Sequence, residues 1–263
     1  MIEVHIETLR IFAVIAILLT GLAGGVLSRL MSAGTRSERL LSLGNAFAGG
    51  VFLGAGVIHM LPDARDGFAA IQGTSDYPWY ALVCTCGFLL ILFLEKVCLP
   101  NQHGHELRVE GANQSLLQPY VLMMVLSLHS IITGIAFGTE STVAQASVIL
   151  IAVLAHKGTA AFALGVSMVR TGTDRGRFIR LIAFFSCMTP LGIILGRIAM
   201  TAMSDKGARV FEALFDALAA GTFIYVAVID ILGEEFAHPD RRWLKLGAVS
   251  LGLGLMAVVA IWT

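Results

Sequence analysis

Apolar residues run along this chain in long blocks, and short polar connections separate the blocks. Hydropathy delimits eight spans, approximately residues 7–31, 42–62, 79–99, 117–138, 144–169, 178–203, 210–235 and 243–262. Each is long enough to cross about 30 Å of hydrocarbon as a helix. The pattern therefore predicts an all-α integral membrane protein, a bundle of eight transmembrane helices in one domain. The longest connections fall at about 62–79 and 99–117, and residues 100–116 are expected to form a cytoplasmic loop. Small residues recur four apart at Gly21 and Gly25, Gly50 and Gly54, Gly134 and Gly138, and Gly192 and Gly196. That spacing lets helix backbones approach closely and predicts tight packing.

Polar side chains deep inside such spans are costly and need partners. The fourth span carries His129, Ser130 and Thr133, and the fifth carries His156, Lys157 and Thr159. Residues three or four apart share a helix face, so His129 stacks with Thr133 and His156 with Thr159. The turn between the two spans is short, so they pack antiparallel. His129 and His156 lie at similar distances from that turn, which puts both imidazoles at one depth. Two facing imidazoles form part of a site for a borderline metal such as Zn²⁺. The alternative is a pair of structural histidines bonding across helices. Lys157 lies too far from a helix end to snorkel, so it is expected to face the bundle interior, either standing where a second cation would sit or pairing with a carboxylate.

Other polar groups fall near the membrane surfaces. His59 and Asp63 are four apart at the end of the second span, where Pro62 can open the backbone. They read either as a metal-gathering vestibule or as a solvated helix end. His103, His105 and Glu106 in the third connection read as a transient metal-holding cluster or as a solvated loop. Proline in the TPLG stretch, just after Thr189, predicts a kinked sixth helix. Asp230 and Glu234 share a face in the seventh span, which suits a cation exit; the alternative is pairing with Arg241 and Arg242.

Composition narrows the class. Only 14% of residues are charged against 57% hydrophobic, whereas a soluble domain carries about 25% charged residues. Net charge is +0, which argues against nucleic acid as partner. Cys84, Cys86, Cys98 and Cys187 form no CxxC and read as apolar fillers. The acidic start MIEVHIET predicts a retained first helix, not a cleaved signal. Twelve Lys and Arg residues, from Arg29 to Lys245, flank the connections after spans one, three, five and seven; Arg10, Arg65, Lys206 and Arg209 lie opposite. This asymmetry places both termini outside the cytoplasm, in an inner or plasma membrane.

Four stretches carry a resemblance: AFAGGVFLGAGVIHMLPDA, LHSIITGIAFG, HKGTAAFALG and AAGTFIYVAVIDILGEE. With TPLG and the His-bearing loop, they make the chain similar to ZIP-family divalent metal transporters, over nearly its whole length and with His-Lys in the fifth span. The resemblance implies an eight-helix bundle with a transport site between spans four and five, and metal moving inward. It implies that His129 and His156 are metal ligands, that Ser130 neighbours them, and that Lys157 takes the place of a second-metal carboxylate. His59, Asp63, Asp230 and Glu234 match the regions that line the two mouths. Three positions depart from the pattern. Thr133 stands where a glutamate is usual, Ala160 where many members place a ligand, and Thr189 where some carry a glutamate. A second metal site is not expected.

The expected function is transport of zinc or a similar divalent ion (Fe, Mn or Cd) through the lipid bilayer, with no enzyme activity and no resident cofactor. Capture falls at His59 and Asp63. Coordination follows at His129 and His156 with the hydroxyls of Ser130, Thr133 and Thr159. Release runs past Asp230, Glu234, His103 and His105. No Walker A pattern is present, so the ion gradient drives the flux. Two rivals stand beside this reading: an intramembrane metal-dependent enzyme, and a transport-deficient metal sensor or partner subunit. Oligomeric state, a homodimer included, is left open.

Overall fold

The structure is a computed structural model describing residues 2–33, 37–72, 77–98, 118–140, 142–199, 205–237 and 239–261. Every regular element among them is helical. Eight helices are long and apolar enough to cross a membrane: α1 (Ile6–Met31), α2 (Glu38–Ile71), α3 (Trp79–Cys98), α4 (Pro119–Thr139), α5 (Val143–Arg170), α6 (Arg175–Ile198), α7 (Arg209–Ala237) and α8 (Arg242–Val259). Local chemistry fixes their ends. Thr142 caps α5 by accepting the Gln145 N–H at 3.3 Å. Gly172, at φ 69°, ends it in the left-handed region that glycine adopts without steric cost. Asp174 accepts the Arg177 N–H at the start of α6, and that bond holds its carboxyl below the usual range.

Helices in lipid gain little from the hydrophobic effect and associate through close packing. Here the packing divides the bundle in two. In one half, α4 lies on α6 and α1 on α5; in the other, α2 lies on α8 and α3 on α7. A Cβ added at Gly134 would collide with the Thr189 carbonyl, and one at Gly24 with the Gly158 carbonyl. In the other half, Gly50 meets the Val249 carbonyl and Gly87 the Leu218 carbonyl in the same way. Contact between halves is thinner and runs through side chains, as where Gly44 meets the Phe162 ring. The α1, α4, α5, α6 group is called the site half below, and the α2, α3, α7, α8 group the frame half.

All three π-helical segments lie in frame-half helices: Ala55–Met60 in α2, Phe93–Cys98 in α3 and Val226–Leu232 in α7. The first of them corrects an expectation. The sequence delimits the second span at about residue 62, where Pro62 can open the backbone; the helix continues to Ile71. Leu61 donates its N–H to the Gly56 carbonyl, five residues back. This widened turn just ahead of Pro62 accommodates the missing donor and the ring. His103 and His105 fall outside the described residues.

Candidate metal site

His129 on α4 and His156 on α5 face each other with ring centroids 5.7 Å apart. Phe223 of α7 closes a third side, edge-on to His129 at 4.4 Å and to His156 at 6.4 Å. Both histidines are buried, 7% and 5% exposed; His129 Nδ1 has no hydrogen-bond partner, and the Ala152 carbonyl stands beside the His156 ring. Buried polar atoms are almost always paired, so two buried imidazoles lining one cavity, one of them with an unpartnered nitrogen, mark a place suited to a ligand. The cavity between them has a volume of about 10 Å³, roughly the room one water needs. Thr133, one turn along α4, places its Oγ1 at 3.2 Å from His129 Nε2 and donates to the His129 carbonyl.

Lys157 is 2% exposed. Among the described residues it forms no ion pair with a carboxylate. Its Nζ donates to the Ser130 hydroxyl at 3.0 Å, the Thr189 hydroxyl at 3.1 Å and the Phe185 carbonyl at 3.1 Å. An ammonium has three N–H donors, so each has a partner. The charge also lies 3.7 Å from the Phe185 ring centroid, a cation–π contact. Lys157 thus ties α4, α5 and α6 together beside the histidine cavity. Thr159 stands apart: its hydroxyl donates to the His156 carbonyl at 2.7 Å, and the residue does not line the cavity. Among the described residues no three His, Cys, Asp or Glu side chains converge closely enough to hold a metal ion. The site offers two imidazoles, hydroxyls and space for a water.

Toward the end of the bundle opposite the basic connections, His59 Nδ1 lies 3.3 Å from Asp63 Oδ2. Glu212 and Asp216, four apart on α7, stand within electrostatic reach of Asp63. Sequence reasoning missed this second carboxylate pair, although an acidic i, i+4 pair in an apolar span is visible without a structure.

At the basic end the expected pairing changes. Asp230 sits in the π segment of α7 and neighbours Glu95 of α3, which accepts the Tyr225 hydroxyl at 2.9 Å. Glu234 instead pairs with Arg170 at 3.1 Å. Buried Glu235 gathers Arg170 at 2.8 Å, Asn45 at 2.9 Å, Ser42 at 2.5 Å and Lys245 at 3.7 Å. Arg241, an expected partner of the acidic end, lies against Asp240. Asp230 and Glu234 remain within electrostatic reach of each other, but each turns to a partner on another helix.

The chain was compared with known proteins. The family described as ZIP Zinc transporter matches residues 7–106 and 98–260. "Zinc transporter ZIP2" of Homo sapiens is 30% identical over 268 residues, covering 85% of this chain and 86% of its own length. "Zinc transporter ZIP1" of Danio rerio is 29% identical over 297 residues, 97% of this chain and 98% of its own length. "Protein zntD" of Dictyostelium discoideum is 36% identical over 168 residues, 62% of this chain and 24% of its own length. With eight membrane-crossing helices and a family match that spans almost the whole sequence, the chain belongs to the ZIP zinc transporter family.

Proposed function

We propose that this protein moves a divalent metal ion, zinc by its ligand chemistry, across the membrane toward the cytoplasm through the cavity between α4 and α5. The observation that carries the reading is the pair of buried imidazoles facing at 5.7 Å across one cavity. Neutral imidazole suits zinc and its first-row neighbours. Asp63, His59, Glu212 and Asp216 gather cations at the outer mouth. His129 and His156 then take the ion, with Thr133, Ser130 and water completing its shell. Release follows past Asp230 and Glu234, with His103 and His105 in the adjoining loop. A cavity the size of one water does not admit a hydrated ion, so passage requires the site half to move against Phe223 of the frame half. That motion is compatible with the close backbone packing inside each half and the thinner contact between them.

Zinc uptake into proteoliposomes under an inward zinc gradient tests the reading; parent protein that is folded yet gives no flux above empty vesicles defeats it. One observation favours a second reading, a transport-deficient sensor or partner subunit: among the described residues no carboxylate lines the histidine cavity. Thr133→Glu separates the two. If the protein transports, the added carboxylate changes the rate or metal selectivity of an existing flux. If it is a sensor, flux appears only in the variant.

Lys157→Met probes the tethered charge. A divalent ion beside an ammonium is repelled, and at about 4 Å the repulsion is about 2 kcal/mol even at the dielectric of bulk water. The half-saturating zinc concentration is therefore expected to fall by about tenfold or more, read in the same vesicles. An unchanged value would mean that Lys157 serves only to tie the three helices together.

A further inference from the structure

α4 and α6 pack against each other, and both start at the basic end of the bundle. Their first turns meet where Arg177 Nη1 donates to the Tyr120 hydroxyl at 3.3 Å. Two exposed stripes run from that bond. On α6, Arg177, Arg180 and Phe184 follow at intervals of three and four and so share a face. On α4, Tyr120, Met124 and Leu128 do the same. All six are exposed, with the polar groups at the helix starts and apolar side chains deeper along each span.

Positive charge is in excess here. Arg177 Nε lies 3.4 Å from Asp174, and Asp174 is also within electrostatic reach of Arg180. Asp174 is the one carboxylate paired with the start of α6 among the described residues, against Arg175, Arg177 and Arg180. The helix N-terminus adds its own partial positive charge. On the α1 side of α6, the Arg29 guanidinium lies 5.6 Å from the Phe178 ring centroid and, among the described residues, forms no ion pair. Several donors are also free. Arg180 uses Nε on the Gly176 carbonyl at 3.4 Å, which leaves its two terminal nitrogens without a partner among the described residues. Arg177 likewise keeps Nη2.

We infer that this corner of the bundle binds an anionic phospholipid of the leaflet at the basic end, with its phosphate on Arg177 and Arg180 and its acyl chains along Phe184, Met124 and Leu128. The two terminal nitrogens of a guanidinium match phosphate oxygens in pairs and stay charged at any working pH. A basic cluster next to a membrane span attracts anionic headgroups. The apolar stripes below the arginines favour a lipid over a soluble anion, which would use only the polar part of the surface. Asp174 opposes the headgroup, so it tunes the affinity. Both helices belong to the site half, so the lipid would fasten that half to one leaflet.

The test uses the full-length protein, stripped of lipid in neutral detergent and titrated with phosphatidylglycerol, phosphatidylcholine of the same chains, or inorganic phosphate. Bound lipid is read by native mass spectrometry and by the shift in unfolding temperature, with no zinc flux involved. Phosphatidylglycerol is expected to bind at least about fivefold more tightly than phosphatidylcholine, the effect of one basic residue near the surface. Arg180→Ala should remove most of that preference. Asp174→Asn keeps a side-chain oxygen to cap α6 and removes the opposing charge, so it should raise the preference by about fivefold. Arg242→Ala, an exposed basic residue at the same end of the bundle, should leave it unchanged. Equal affinity for the two lipids in the parent overturns the inference, as does a preference that survives Arg180→Ala or fails to rise in Asp174→Asn. An equal loss in Arg242→Ala overturns it too, because the selection would then come from the whole basic end. An equal thermal shift with phosphate alone would make this a free-anion site and overturn it as well. If Arg180→Ala fails to fold, Asp174→Asn decides by itself.

Discussion

Zinc flux into proteoliposomes is expected to fall at least about 100-fold when His129 and His156 are both replaced by alanine. Losing only the outer-shell partners of a metal ligand costs about 10–100-fold, and here both imidazoles go. Among the described residues no carboxylate lines the cavity to compensate. The remaining ligands, the hydroxyls of Thr133 and Ser130, are neutral oxygens that bind zinc less well than imidazole. Each single variant should lose most of the flux, because one imidazole with hydroxyls and water is a poor zinc shell. Both side chains lie in one half of the bundle and make no hydrogen bond that supports the fold across halves. The double variant should therefore purify with the parent's helix content and unfolding temperature. Flux within a factor of about two of the parent would remove these histidines from the path and, with them, the proposed site.

The sequence disclosed that pair because its signal is local and repeated. Two histidines at equal distance from one short turn have to meet if the helices pack antiparallel, and they do. The packing glycines were legible for the same reason, since their four-residue spacing survives in a straight α-helix. What stayed hidden depends on partners far apart in the chain. The oxygens around Lys157 come from Ser130, Phe185 and Thr189 on two other helices. No spacing rule within the fifth span points to them. The π turns were illegible too. Each holds polar groups that matter to the proposed route, His59, Glu95 or Asp230, and each breaks the 3.6-residue period on which face arguments rest. Glu95 escaped notice altogether, because its partner Tyr225 lies on another helix.

The same long-range logic makes Glu235 the largest expected stability effect in the molecule. Glu235 is 3% exposed, and its carboxylate joins Ser42 and Asn45 of α2, Lys245 of α8 and Arg170 of α5. Three of those partners belong to the frame half, whereas Arg170 reaches across from the site half. Removing one member of a buried ion pair strands its partner and costs about 3–5 kcal/mol, more than the net contribution of the intact pair. Glu235→Gln is therefore expected to lower unfolding free energy by about that amount, measured by thermal or denaturant unfolding in detergent. Arg170 retains Glu234 at 3.1 Å, so the stranded charge is chiefly Lys245, which also donates to the Glu235 carbonyl. Combining Glu235→Gln with Lys245→Met should cost less than the sum of the two single changes, since neither leaves an unpaired buried charge once both are gone. The cross-half contact gives a second readout. Loss of the Arg170–Glu235 bond should speed amide exchange at the basic ends of α2 and α7 while leaving the α4 and α5 segments around His129 and His156 unchanged. If stability falls but exchange rises uniformly, the network is a plain structural anchor. If it rises only at the basic ends, the network holds that end closed, and the ion leaves by breaking it.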